Sequence, residues 1–495
     1  MILLWLSCGQ YEEDVSYSTA DVRRISLAIQ GTLPSIEDYA HIQQHPRDIH
    51  TLIQEYLSSP WHQKRMLGLF SDWTRNRVDT YNITQNDYHL DSSQQYDFLQ
   101  SVGEETPRTM AYYATHDEDW RDVVQSPFTM ANDLLLSIWP LEAIETTDGW
   151  KKARYTDGRP PLGILMNNGL WWRYYTTPNN FNRARASVMA DLFLCVDYLS
   201  RPISFEATAL LEHEDFNEII QNNEACIGCH NTLDPLAATF FGFWWYDIYD
   251  TAELSRYHPE REYLGEELLN TEIAYFGQPL ASPSQLGMFV AQDPRFTQCT
   301  VQKLTEALWH QPKQNINFSA LHTFHDQFVQ SQYRISSLLT AIVLEPSFHE
   351  TSSRMLSAQQ LALTIEDLTG FVWKENDILL LENDIVGYRK MLGGADGNEI
   401  THPATTPSIS RQLTLKRFAQ AAAQHWAEQN TLPERFTDDD LYQELFLRLY
   451  GHPPSEERME IDQEMWTQIA QQSSPKQAWI SLLSVWLRDP LFWSY

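Results

Sequence analysis

The feature that most constrains this chain is the run Cys-Ile-Gly-Cys-His at residues 226–230. Two thiols separated by two residues reach the two vinyl groups of one haem. The adjacent imidazole then meets the iron. The run therefore predicts one covalently attached haem c, bound through Cys226 and Cys229, with His230 as the proximal iron ligand. Two other chemistries use a Cys-x-x-Cys pair. A structural zinc site needs a second Cys/His pair at suitable spacing, which the sequence lacks. A thioredoxin-type redox motif needs a βαβ context, which is also missing. The flanks NNEA and NTLDPL are polar and turn-forming. A carbonyl in the Asp234-Pro235 turn is expected to accept the second ring N–H of His230. Phe240, Phe241, Phe243, Trp244 and Trp245 follow closely and are expected to wall an apolar haem edge.

A haem attached in this way implies export. The first residues, MILLWLSCGQ, run from apolar Ile2–Leu6 through Ser7 to Cys8 and Gly9. They match the end of a bacterial lipoprotein signal, with Cys8 as the lipidated residue. The apolar stretch is short and no Lys or Arg precedes it, which places the start of translation upstream of Met1. Export to the periplasm or the outer-membrane surface is expected, with the membrane reached only through lipid on Cys8. Cys195 and Cys299 remain. In an oxidising compartment they are expected to form a disulfide stabilising the fold by roughly 2–4 kcal/mol; buried thiols are the alternative.

Charge narrows the partners. Asp and Glu number 66 against 35 Lys and Arg, a net charge of −31. Nucleic acid, whose phosphates need a basic face, is disfavoured. A solvated surface or a basic redox partner protein fits.

Most segments have helical apolar spacing, so the fold is expected to be mainly α, with few short strands. One unit of the pattern helix, Gly, Pro, Ser-capped helix opens near residue 19 and closes at Pro60-Trp61. It recurs over 441–495, with Pro490 and Phe492 in the places of Pro60 and Trp61. A weaker copy over 301–350 closes at Pro346 and Phe348. A turn-rich stretch near 145–160 and the end of the unit closed by Pro346 and Phe348, near 350–354, suggest boundaries, and 390–410 reads as a long loop. The expected layout is a signal remnant and linker (1–18), an N-terminal helical domain (19–150), a c-type-cytochrome-like haem domain (151–350) and a C-terminal helical domain (351–495).

For the distal iron ligand the leading candidate is Met288, 58 residues past His230. Met166 is a second. His213, His258 and His310 would give bis-His ligation, and an open position would admit small ligands or peroxide.

The segment CIGCHNTLDPLAATFFGFWWYD resembles the haem segment of the planctomycete and myxobacterial exported cytochrome c-like multidomain proteins. Their pattern is CxxCH followed by Met-Asp-Pro-Leu/Ile-Gly-Phe. Asp234, Pro235 and Leu236 match, Leu233 stands for the Met and Ala237 for the Gly. Further likenesses run in order: RRISLAIQGTLPSIEDYA, RDVVQSPFTMANDLLLSIW, RARASVMADLFLC ending at Cys195, FTQCTVQKLTEALWHQ with Cys299, RMLSAQQLALTIEDLTG and GGADG. Here His310-Gln311 replaces the usual Gly-Arg. The resemblance implies a haem and an exported location, with domains of undefined role around the haem segment.

Three functions compete: an electron carrier, favoured over catalysis; a haem enzyme of the oxidoreductase class with an open distal site; and a surface binding protein with an auxiliary haem. No Ser/His/Asp triad, phosphate loop or HExxH run supports hydrolytic or nucleotide chemistry.

Overall fold

The computed structural model describes residues 15–495, apart from 79, 201–219, 221–222, 351–353, 376–377, 383–385, 398 and 437–439. The chain is mainly α, as expected. Its apolar residues form two cores. One is continuous from Val22 to Phe348. The other runs from Met355 to Tyr495 and also takes in Leu27 and Leu33.

The first helix, Thr19–Ile29, serves both cores. Ser18 and Asp21 close a capping box at its start. Val22, Ile25 and Ile29 enter the first core, and Leu27 enters the second. Its two adjacent arginines split in the same way. Arg23 is buried and donates to the carbonyls of Leu449, Leu491 (3.2 Å) and Phe492 (2.7 Å). Arg24 donates to the carbonyl of His349. Carbonyls at helix ends lack intrahelical partners, so a guanidinium inserted among them satisfies several at once.

The three repeat units are visible as helices. In the first, Thr19–Ile29, Ile36–Gln44 and Ile49–Ser58 lead to a helix starting at Pro60. In the second, Pro294–Trp309, Phe318–Gln330 and Ile335–Leu344 lead to Pro346–Glu350. In the third, Asp440–Tyr450, Glu456–Gln472 and Pro475–Trp486 lead to Pro490–Trp493. The turn after each opening helix needs a left-handed residue. Gly31 and Gly451 supply it with φ of +77°, whereas His310 adopts φ of +51°. His310 therefore stands at a backbone position that disfavours a side chain. One equivalence needs correcting. The residue matching Phe348 and Phe492 is His62, two past Pro60, and not Trp61. His62 is buried, and its Nδ1 lies 2.8 Å from the carbonyl of Ile29.

The chain does not break at 145–160. Strand β1 (Thr129–Ala131), β2 (Leu141–Ala143) and β3 (Lys151–Tyr155) form an antiparallel sheet in the order β1-β3-β2. The turn residues expected to mark a boundary connect β2 to β3. The expected N-terminal and haem domains share one core. The GGADG loop (393–397) docks the second body on the first. Arg173 donates to the Gly397 carbonyl, and Gly397 has φ of +77° with Arg75 O 2.7 Å from where a Cβ would sit.

Candidate haem site

Residues 226–230 lie on the helix Glu224–Ala238. Asn223 caps it, its Oδ1 accepting from Ala225 N at 2.9 Å. Cys226, Cys229 and His230 are spaced i, i+3, i+4, so they share one side of the helix. All three are half-buried. The second half, Leu233 to Ala238, is buried. It packs on the helices Arg183–Leu194 and Tyr263–Leu269 and on the strand Ala274–Tyr275. Gly265 permits the approach, because a Cβ there would meet Ala238 O at 2.5 Å. The NTLDPL segment, expected as a turn, is helical. Pro235 sits inside the helix, where it removes one backbone N–H donor.

That helical continuation places Asp234 four residues beyond His230, on the same side. His230 Nδ1 lies 2.7 Å from Asp234 Oδ1. The partner is thus a carboxylate and not the backbone carbonyl expected from the sequence. Asp234 is only 5% exposed and receives a fork from Arg183: Nε to Oδ1 and Nη2 to Oδ2, each 2.8 Å. Burial pushes the Asp234 carboxyl up. The hydrogen bonds and charges of Arg183 and His230 outweigh it and hold the pKa below the ordinary value. An ionised carboxylate only accepts, so Nδ1 carries the proton. In the neutral imidazole the lone pair is then on Nε2, which has no hydrogen bond among the described residues.

Arg183 opens the helix Arg183–Leu194, whose C-cap residue is Cys195. The Cys195 and Cys299 sulfurs lie 2.14 Å apart, at disulfide distance, with Cα atoms 5.4 Å apart. This bond fastens the end of the Arg183 helix to the helix Pro294–Trp309. Cys226 and Cys229 are not disulfide-bonded.

The other expected site residues lie elsewhere. Phe240, Phe241, Phe243, Trp244 and Trp245 do not form an open wall. All are buried, packed with Trp171, Phe181, Tyr257 and one another. Met288 is 39% exposed, on a helix (Leu286–Gln292) packed on residues 120–124 and on Pro294–Trp309. Met166 is buried in the first core. His258 has both ring nitrogens engaged, by Glu260 and the Glu253 carbonyl, each at 2.9 Å. His310 is held neutral by burial, its pKa pushed down to about 3, with its ring beside Tyr495. Cys8 and His213 lie outside the described residues. Among the described residues no three His, Cys, Asp or Glu side chains gather as they would around a bare metal ion, and no helix is long and apolar enough to cross a membrane. A cleft of about 890 Å³ opens between the two bodies, lined by Arg77, Arg108, Trp150 and Trp373 among others. None of its lining residues comes from the Cys226 helix.

Arg183, and the carboxylate role of Asp234, escaped the sequence reading. Asp four residues after His is a helical pair, but Asp-Pro reads as a turn and hides it. The chain matches no family model, no curated protein and no solved structure.

Proposed function

We propose that this chain is an exported, monohaem c-type cytochrome-like protein that transfers electrons to or from a partner protein. The carrying observation is the one-sided array of Cys226, Cys229 and His230, with Nδ1 already committed to Asp234. These residues fit a haem. Two half-buried thiols are spaced for thioether bonds, and one imidazole nitrogen keeps its lone pair for iron. The bound group would supply a one-electron couple. The chain's own part is to attach it, orient His230 through Asp234 and present the site at a half-exposed helix face. The disulfide pair suits an oxidising compartment, and lipidation of Cys8 would tether the protein to a membrane surface. The net charge of −31 suits a basic redox partner.

A second reading, a haem oxidoreductase, is favoured by the placement of the distal candidates. Met288 lies at the surface, 39% exposed, and both nitrogens of His258 are taken.

The test is to express the full chain with a haem c maturation system. The expected product carries one haem that survives denaturation, detected by mass and by the haemochrome spectrum. Absence of covalent haem would sink the proposal. A low-spin reduced spectrum indifferent to CO and peroxide supports the carrier; a high-spin ferric spectrum supports the enzyme.

A further inference from the structure

Resting on the haem reading above, we propose that Asp234 is a positioning residue that sets the donor strength of His230, and that Arg183 is the opposing control on Asp234. Together they would tune the preference of the site for ferric over ferrous iron.

The argument starts from the acceptor. A histidine bonded to a backbone carbonyl faces a neutral dipole. His230 faces a carboxylate at 2.7 Å in a site where Asp234 is 5% exposed. A charged acceptor draws the Nδ1 proton more strongly and makes the remaining nitrogen a better donor. Low exposure leaves little water to screen that effect. A stronger donor favours the more positive iron, so Asp234 lowers the reduction potential.

Arg183 acts in the other direction. Its fork occupies both Asp234 oxygens and draws their charge away from the imidazole. Its position is not left to a flexible loop. Arg183 is the first residue of a helix whose other end is fixed by the Cys195–Cys299 pair. Removing Arg183 would leave the carboxylate uncompensated beside His230 and lower the potential further. The two residues therefore have effects of opposite sign. A purely structural role would not give that pattern, because loosening the same helix contact from either side would disturb the site alike.

The experiment uses the full chain with haem attached, read by spectroelectrochemical titration and by the iron–histidine stretching band of the reduced protein in resonance Raman spectra. D234N should raise the potential, by about 59 mV for a tenfold loss of ferric preference in a one-electron couple, and move the band to lower frequency. R183Q should lower the potential and move the band up. The double variant R183Q/D234N removes both buried charges and serves if a single variant does not fold; its potential should lie above that of the unmodified chain. Shifts of the same sign in both single variants, an unmoved potential and band in D234N, or an unmoved potential in the double variant would overturn the proposal. An unmodified chain with no covalent haem would take down the haem reading as well, and that result is visible before any variant is made.

Discussion

The two halves of the helix Glu224–Ala238 differ in almost every respect. The first half is half-buried and holds Cys226, Cys229 and His230. The second is buried and holds Leu233, Pro235 and Leu236 against two helices and a strand. Asp234 belongs to the buried half yet bonds a side chain of the exposed one. The difference shows how a half-buried helix face is anchored by a buried one. Packing is concentrated at one end of the helix, and the Asp234–His230 hydrogen bond joins the two ends.

The largest expected effect comes from the exposed half. Replacing Cys226 and Cys229 together by Ser should abolish covalent haem, read by denaturing mass spectrometry, while the apo chain keeps its helical circular dichroism. Loss of both would erase the contrast. Phe240→Ala, just beyond the buried half, should cost about 3–5 kcal/mol in chemical denaturation, because a fully buried ring leaves a cavity. Haem attached to the folded fraction should keep its spectrum. Replacing Cys195 and Cys299 by Ala should cost about 2–5 kcal/mol, and the loss should be reproduced by a reductant on the unmodified chain.

His62 sharpens the comparison with His230. Burial drives its pKa down to about 4 from the ordinary 6.5, with the Ile29 carbonyl partly opposing. A histidine so depressed does not weaken the fold above pH 6.5. Below it the unfolded chain takes up the proton first, and stability falls as pH drops from 6.5 towards 4, by on the order of 3 kcal/mol. His62→Phe, which copies Phe348 and Phe492, should flatten that dependence in denaturation curves at pH 7 and pH 4. The smallest effect is expected at Met288. Met288→Ala should change stability by no more than about 0.5 kcal/mol, since the residue lies at the surface, 39% exposed. Loss of a thioether-to-iron charge-transfer band in the same variant would instead make Met288 the distal ligand.

Much of this was legible in the sequence because local rules decided it. Ser35 and Ser455 cap helices where the repeat pattern placed them, while the first helix is capped by Ser18, one residue before the segment read as helical. The Gly and Pro punctuation of the repeats marks real helix ends. Cys195 and Cys299, the pair left over in the expected assignment of the cysteines, lie at disulfide distance across a separation of 104 residues. The errors have physical causes. Asp234-Pro235 reads as a turn, but the buried packing of Leu236 and Ala237 holds it helical. The turns at 145–160 look like a linker, since strands as short as Leu141–Ala143 carry too few residues to show alternation. The aromatic run after the site is adhesive in either setting, and composition cannot distinguish a cofactor wall from a core. Arg183 was hidden because its partner lies 51 residues away.

Arg23 also ties an early helix to the last residues of the chain. Arg23 belongs to the first described helix, and its acceptors at Leu491 and Phe492 lie up to 469 residues further on. None of those bonds can form before residue 492 has been made. Until then Arg23 lacks those two acceptors, although Val22, Ile25 and Ile29 of the same helix already have partners in the first core. The native docking of the last helices on the first therefore waits until residues 491 and 492 have been made. The slow step of folding should be the docking of the last helices onto the first.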